Sequence, residues 1–505
     1  MTIVMAEYSL LLISVVTYME TRLREGYERE ELERIAGFSY RHIREVFREK
    51  RGVSLGRYVL SRRLAWAAFE IAHTERSLTE IAQDWRFDSY DTFTRAFRRE
   101  TGLSPSAFRK GSYQVGRQIL TAGIFAPAIL RREGRLLSAA ERKEKMNMKE
   151  QIKGDDMGLL LGVPKVEYTW GECTPFPSCL KACLNYMGQS MGYAHLMAAS
   201  GAAFRLRWNT TMWDGGNVDI TYIYPTMLEA FAKSFAAAGR KWKYLRREDS
   251  DKQGFIDFIK AEIDEGRPVI ALGIIGPPEA CIVTGYQKGG EELLGWNFFQ
   301  SRAEFASGIR FHESGYFISD NWWDNPGTLM LMAVEEQAGE ATGDREIMRN
   351  GLEILRGETL IFEGYDHIIA CGQYAFRCWA DWLEDDKKFG SDLILPLLFE
   401  RYMCHTDAIT MVGEGRSYGA IYLKALGERQ PELAPLCGKI ADLFGREAAL
   451  CNQDMMKLHE GKDHEETVRN FGKPEVRKTL AGLIRKAAKL EDEATALVEE
   501  LFAKM

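Results

Sequence analysis

Two polar clusters recur at helical spacing in the first hundred positions, and their side chains suit a polyanion. Arg41 and Arg44 fall opposite an apolar stripe of Ile43, Val46 and Phe47; Asp91, Thr94 and Arg95 fall opposite Phe93, Ala96 and Phe97. A guanidinium can donate two parallel hydrogen bonds to guanine O6 and N7 in a major groove, and a carboxylate can accept from cytosine N4. Asp91 could equally orient Arg95. A second chemistry is aromatic. Nine of the eleven tryptophans lie between Trp170 and Trp382, including Trp213, Trp296 and the pair Trp322-Trp323 within SDNWWDNPG. Such walls with a few placed carboxylates suit a flat or cationic organic ligand, through stacking and cation–π contact. Thiols are the third group. All nine cysteines lie beyond position 170 and no CxxC pair occurs, so the pattern argues for reduced thiols and against a structural zinc site. Cys451, Met455 and His459 share a helix face that a soft metal would accept, but a core stripe explains them more simply. Neither metal nor cofactor is expected.

The elements that position the first group repeat. Ser39-Tyr40, Ile43 and Phe47-Arg48 return as Ser89-Tyr90, Phe93 and Phe97-Arg98, and Gly52-Val53-Ser54 as Gly102-Leu103-Ser104, always 50 residues on. Each copy opens on a serine, whose hydroxyl can cap the free N–H groups of a first helical turn. Shorter helices are predicted ahead of them, over Arg29–Ala36 and Leu78–Asp84. Helix, tight turn and capped second helix make a helix-turn-helix. Between the copies, Leu55–His73 has no proline, and no glycine after Gly56, and is predicted to be one continuous helix. A rigid connector matters because two recognition helices read adjacent major grooves only when held roughly 34 Å apart.

Across about 8–110 the chain resembles the AraC/XylS family of bacterial transcription regulators. The matching segments are GFSYRHIREVFREKRGVSLGRYVLSRRLAWAA and LTEIAQDWRFDSYDTFTRAFRRETGLSPSAFR. The second is most similar to the MarA/SoxS/Rob branch, where arginine can replace the usual turn glycine, as Arg86 does here. The resemblance implies base-facing positions at Tyr40, Arg41, Arg44, Tyr90, Asp91, Thr94 and Arg95. It implies phosphate contacts at Arg48, Arg98 and Arg99, which fix register rather than read sequence. One position departs: Glu33 stands where the family commonly has a small residue against the recognition helix, which would shift the first helix.

Beyond 158 the pattern changes. TPFPSCLKACLNYMG reads as a helix opened by prolines; FIDFIKAEIDEGRPVIALGI and ACIVTGYQKGGEELLGWNFF read as a helix and then antiparallel strands. Over about 158–325 this resembles the papain-like, C39-type cysteine-peptidase fold and the N-terminal domain of the BtrH acyltransferases of aminoglycoside biosynthesis. That likeness implies a cysteine opening the helix, a histidine opening the second strand and an Asn or Asp opening the third. Counting back from Tyr186-Met187-Gly188 puts Pro175 at the nucleophile position, and counting back from Thr284-Gly285-Tyr286 puts Glu279 at the histidine position. Only Asn297 survives. A carboxylate beside a cysteine raises its pKa instead of forming a thiolate. The expectation is a dead site converted to a sensor, lined by Cys179, Trp213, Glu279, Trp296, Asn297, Trp322 and Trp323. The alternative is a DNA-tethered cysteine acyltransferase or peptidase using Cys173 or Cys179; a third reading is a protein-binding module that senses another regulator.

A chain of 505 residues exceeds a single core, and the absence of any run of 18 apolar residues excludes a helical membrane span. The stretch 10–16 lacks a basic leader and a cleavage site, so it is expected to be the first helix of a folded domain. The net charge of −7 divides into +7 over 1–150 and −14 over the remainder, which suits one end to a polyanion. The expected architecture is multidomain. It comprises an all-α twin helix-turn-helix domain over 1–110 and a linker or docking segment over 111–157. An α+β papain-like (C39-like) sensor domain over 158–335 and a helical C-terminal region over 336–505 follow, the latter packed on the sensor or mediating dimerisation. The expected function is a cytoplasmic, non-enzymatic, ligand-responsive one-component transcription regulator. Its expected partners are double-stranded operator DNA and a small-molecule effector, with RNA polymerase as a further candidate and no membrane; a monomer and a homodimer both stay open.

Overall fold

The computed structural model describes Val15, Tyr18, Met19, 22–110 and 149–505, apart from 52–53, 75, 102, 169–171, 215–218, 303–304, 306–308, 365–366, 391–392 and 463. Most of the linker expected over 111–157, including the apolar patch at 119–130, lies outside the described residues, as do Trp170 and most of 10–16. Val15, Tyr18 and Met19 are buried. No helix among the described residues is long and apolar enough to cross a membrane.

The repeat folds as its spacing predicts. Helices α1 (Arg29–Ala36), α2 (Tyr40–Arg51) and α3 (Leu55–His73) are followed by α4 (Leu78–Asp84), α5 (Tyr90–Thr101) and α6 (Pro105–Lys110). Ile43, Phe47, Phe93 and Phe97 are fully buried, and α3 buries Tyr58, Leu64, Ala65, Ala68 and Ile71 between the two modules. Phe47 packs edge-on against Tyr58 at 5.5 Å, and Phe97 against Phe108 at 5.3 Å. Each such ring contributes roughly 1.5–3 kcal/mol through burial. Glu70 on α3 is also buried, and accepts from Arg24 and Arg76. Arg76 passes its other nitrogen to Asp84 of α4 at 2.7 Å, so one carboxylate ties the connector to the second module.

Beyond 149 the order is β1 (Glu150–Gly154), β2 (Met157–Leu161), α7 (Pro175–Tyr186), α8 (Tyr193–Ala199), β3 (Arg207–Asn209), α9 (Met227–Ala237) and β4 (Arg240–Arg246). Then come α10 (Lys252–Asp264), β5 (Val269–Leu272), β6 (Ala280–Gln287), β7 (Glu292–Trp296), β8 (Arg310–Phe311), β9 (Phe317–Ser319) and β10 (Met330–Gln337). The rest is α11 (Asp344–Arg356), β11 (Thr359–Leu360), β12 (Ile369–Cys371), α12 (Gly372–Glu384), α13 (Leu395–Arg429), α14 (Ala434–Ala449), α15 (His464–Gly472) and α16 (Pro474–Lys504).

The chain divides into two compact units, 1–168 with 244–333 and 169–243 with 334–505. In the first, the predicted strands pair antiparallel. Residues 330–333 of β10 pair with β5, which pairs with β6; then follow β7, β9 and β8, while the hairpin β1–β2 joins through β2 to β6. Strands β5 to β7 are buried almost throughout, which is why they read as continuous apolar runs. Helix α10 covers them with Phe255, Ile256, Ile259 and Ile263. The hairpin begins at Glu150, inside the segment expected to be linker.

The second unit is mainly helical, with two departures from expectation. Residues 169–243 belong to it, because α7 packs on α8, and α8 and the turn Ala202–Phe204 pack on α13; only β4, at the end of this segment, joins the sheet, beside β10. The region is also not helical throughout: β11 and β12 make a small antiparallel sheet with β3. At its core Arg416 of α13 is fully buried, donating to Glu491 of α16 and to the carbonyls of Ala203 and Arg205. Burial, and then the Glu491 charge, push the Glu447 carboxyl well above the usual carboxylate range.

His405 and His459 lie side by side in this core at 5.5 Å between ring centroids. His405 accepts from the Trp379 indole N–H at 3.0 Å. Its Nε2, and both ring nitrogens of His459, are buried without a partner among the described residues. Cys451 and Met455 are buried within a π-helical turn, Leu450–Met455. Burial and the neighbouring imidazole hold His405 well below its ordinary value; burial pushes His459 down to about 4. An unfolded imidazole titrates near pH 6.5, so the unfolded chain takes up these protons first. The stability cost is absent above about pH 6.5 and grows as pH falls toward about 4, by up to roughly 1.4 kcal/mol per pH unit for each histidine. Thermal melts at about pH 7 and pH 5 check this. His459→Phe should show a smaller acid-induced drop in Tm than the parent, and an equal drop would contradict the assignment.

Candidate nucleic-acid interface and effector sites

Helices α2 and α5 begin 50 residues apart and have the same length, 12 residues. The serine caps form as expected: Ser39 Oγ accepts from the His42 N–H at 3.4 Å, and Ser89 Oγ from the Thr92 N–H at 3.2 Å. The turns ahead of them differ. Gly37 closes α1 in the left-handed region at φ 72°, which glycine enters without steric cost. In the second module Arg86 takes that conformation at φ 61°, and its guanidinium donates to the Glu25 carbonyl. The side-chain bond offsets a backbone cost of roughly 1–2 kcal/mol.

Glu33 does not shift the first helix. Its Oε1 accepts from the Tyr40 N–H at 2.6 Å, so the carboxylate crosses the turn and caps the start of α2. A negative charge there also complements the positive end of the helix dipole. The residue that departs from the family pattern thus supports the recognition helix directly.

Arg41, Arg44, Arg48, Asp91, Arg95, Arg98 and Arg99 are all exposed on α2 and α5. Arg41 is paired with Glu45 at 2.9 Å and is 88% exposed, an interaction worth roughly 0–1 kcal/mol and easily exchanged. Tyr40 and Tyr90 are half-buried. The Tyr40 hydroxyl lies 3.0 Å from that of Tyr27, and Arg29 and Arg44 approach its ring at 5.3 Å and 5.7 Å; Tyr90 leans on Phe93. Both tyrosines therefore pack the helices as well as border the polar face. Thr94 is half-buried, and its Oγ1 has no partner among the described residues. Sequence reasoning missed Glu33 as a cap and the Glu70–Arg76–Asp84 tie, because both depend on contacts across a turn that periodicity does not encode.

The expected effector residues fall in two different units. Glu279, Trp296, Asn297, Trp322 and Trp323 belong to the unit with the sheet; Cys179 and Trp213 belong to the helical unit. Local positions match the strand pattern, with Pro175 opening α7, Glu279 just ahead of β6 and Asn297 just after β7. Their side chains are committed to the protein. Glu279 accepts from the Tyr168 hydroxyl, the Trp296 indole donates to the Val163 carbonyl at 3.0 Å, and Asn297 Nδ2 donates to Gly273 at 2.8 Å. Trp322 is fully buried and donates to the Gly290 carbonyl at 3.2 Å. It is a core residue, not a lid. Trp323 has a resident cation, the Arg247 guanidinium at 4.1 Å from its ring. Cys179 is fully buried. Trp213 borders a cavity lined by the helical unit's own residues.

Comparison with known proteins places the similarity at the N-terminal end. The family model described as a helix-turn-helix domain matches 32–111. The probable transcription factor PqrA of Proteus vulgaris is 33% identical over 98 residues, covering 19% of this chain and 80% of that protein. The transcriptional regulator Rob of Salmonella typhimurium is 32% identical over 98 residues; the match covers 19% of this chain, which thus spans about a third (34%) of Rob. A solved AraC-type transcriptional regulator from Chromobacterium violaceum is 24% identical, covering 22% of this chain and 99% of that one, with a TM-score of 0.21.

Removing the Glu33 carboxylate should loosen α2 while leaving α5 unchanged. Amide hydrogen exchange on Glu33→Ala should show the first turn of α2 opening more easily by about 1 kcal/mol, the usual worth of a helix cap. Glu33→Gln, which keeps an acceptor oxygen, should recover most of the protection. Equal loosening of α2 and α5, or no change in either, would rule out the cap.

Proposed function

Because the chain belongs, through 32–111, to the AraC-type helix-turn-helix regulators, we propose that its DNA binding is set by α2 and α5 reading adjacent major grooves and is tuned by a small molecule. The observation that carries the DNA half is the duplicated, serine-capped helix with exposed arginines at matching places, joined by one continuous connector. In this reading Arg44 and Arg95 contact base edges, with Tyr40, Arg41, Tyr90, Asp91 and Thr94 beside them. Arg48, Arg98 and Arg99 bind phosphate. Selected operator sites provide the test. Arg44→Ala and Arg95→Ala should each cost about 1–3 kcal/mol and relax sequence preference at positions about one helical turn apart. Arg48→Ala should weaken all sites alike and lower the salt slope by about 1. Uniform losses from Arg44→Ala and Arg95→Ala would show that these arginines touch phosphate only.

The remainder of the chain, in this reading, has a degenerate peptidase-like ancestry and performs no acyl transfer or peptide hydrolysis. Support comes from the residues at the catalytic positions, Pro175 and Glu279. It comes also from the thiols. Burial, then the Glu414 and Glu172 carboxylates, push Cys173 up to about 12, and Cys179 is fully buried. A nucleophile needs the thiolate, which such surroundings disfavour. Near neutral pH, iodoacetamide should label neither thiol faster than a free cysteine, and Cys173→Ala should leave operator binding unchanged. Rapid labelling of either cysteine would support a working thiol enzyme instead.

A further inference from the structure

Aligned through the 50-residue repeat, the polar faces of α2 and α5 carry one acid–base pair in opposite order. Arg41 and Glu45 of α2 stand at the places that Asp91 and Arg95 occupy in α5. Each pair is spaced i, i+4, so its two side chains lie on one face of the helix, one turn apart. All four side chains are exposed. In α2 the pair is formed, Arg41 Nε donating to Glu45 Oε1 at 2.9 Å. That contact uses one guanidinium nitrogen and one carboxylate oxygen; the terminal nitrogens of Arg41 and Oε2 of Glu45 bond nothing among the described residues. In α5 neither Asp91 nor Arg95 has an ion-pair partner among the described residues.

Helix stability does not account for the order in α2. A cation in the first turn with an acid four residues on runs against the helix dipole, and the reverse order stabilises a helix better. Helix α2 has no acidic residue in its first turn, whereas α5 has Asp91 there. The charge that α2 lacks comes from outside it, through Glu33 at the Tyr40 N–H. General attraction to DNA does not account for Glu45 either. A carboxylate among Arg41, Arg44 and Arg48 weakens the attraction to phosphate that those arginines supply. What a carboxylate adds in a major groove is an acceptor for cytosine N4, while a guanidinium beside it donates to guanine O6 and N7. Together those groups are the major-groove edge of one G·C base pair.

We infer that Arg41 with Glu45, and Asp91 with Arg95, determine specificity in the two modules. Each pair matches one G·C base pair, and the opposite order of the pairs exchanges the strands of that base pair between the two half-sites. The inference rests on the DNA-reading role proposed above and deepens it: Glu45 joins the base-facing residues as a reader of cytosine. Two modules that enter successive grooves in the same way would, with identical pairs, select a direct repeat. With the pairs inverted, guanine lies on one strand in the α2 half-site and on the other strand in the α5 half-site. The operator therefore has a direction, and the protein binds it in one orientation.

Sites are selected from a randomised duplex library with the full-length protein and with full-length variants. The readout is the base preference at each position, beside Kd for the best site and for random duplex. The parent should select two half-sites, each with one G·C preference and with guanine on opposite strands. Glu45→Gln should relax that preference about tenfold in the α2 half-site alone, while binding random duplex no more weakly. Asp91→Asn should do the same in the α5 half-site alone. Exchanging the first pair, Arg41→Glu with Glu45→Arg, keeps the net charge and should turn G·C to C·G at that one position. Should the exchange lower Tm, Glu45→Gln and Asp91→Asn carry the test. Unchanged base preferences in both single variants, with every site bound alike, would overturn the inference; the DNA-reading proposal would survive this if Arg44→Ala still relaxed its own position. A parent protein that selects no sequence would overturn both.

Discussion

A single helix sets the spacing between α2 and α5. Helix α3 is 19 residues long, about 28 Å at 1.5 Å per residue, and it holds the two modules by packing into both of their cores. Tyr58 meets Phe47 at one end. At the other, Trp66 stacks on Trp85 at 5.6 Å, and Glu70 receives Arg24 and Arg76. A flexible tether would give each recognition helix its own orientation and lose the register between them. A helix whose buried face is shared by both modules cannot bend without opening two cores, so the separation of α2 and α5 follows from packing energy.

The same economy of buried polar groups appears in the helical unit. Arg416 is matched by Glu491 and by two carbonyls. Glu414 collects the N–H and hydroxyl of Thr174 and the hydroxyl of Tyr193 at the start of α7. Asp219 accepts from the Phe176 N–H at 3.0 Å. These carboxylates accept the donors at the start of α7 that no helical partner can take.

Much of the first hundred residues was legible because local signals agree with the tertiary outcome. The 50-residue repeat, the serine caps and the connector without proline, or glycine after Gly56, each specify their element without reference to the rest of the chain. Arg86 was legible through the turn it replaces; Glu33 was not, since its bond to Tyr40 crosses that turn. Further on, apolar runs gave the strands β5 to β7 and α10, but the grouping of 169–243 with the last helices depends on long-range packing that no window of sequence contains. Trp322 shows the limit most clearly. Its Gly/Asn/Asp-rich surroundings suggest an exposed loop, yet the ring is fully buried and bonded to Gly290. Trp213, on a less conspicuous segment, borders the cavity.

In the proposed DNA complex one rigid connector presents α2 and α5 to one face of the duplex. Guanine methylation interference on a selected high-affinity site, using the full-length protein, tests it most directly. The account predicts two clusters of interfering N7 positions in successive major grooves, with centres about 10 base pairs apart and the same separation on every site selected. A single cluster, or a separation that varies from site to site, would contradict it.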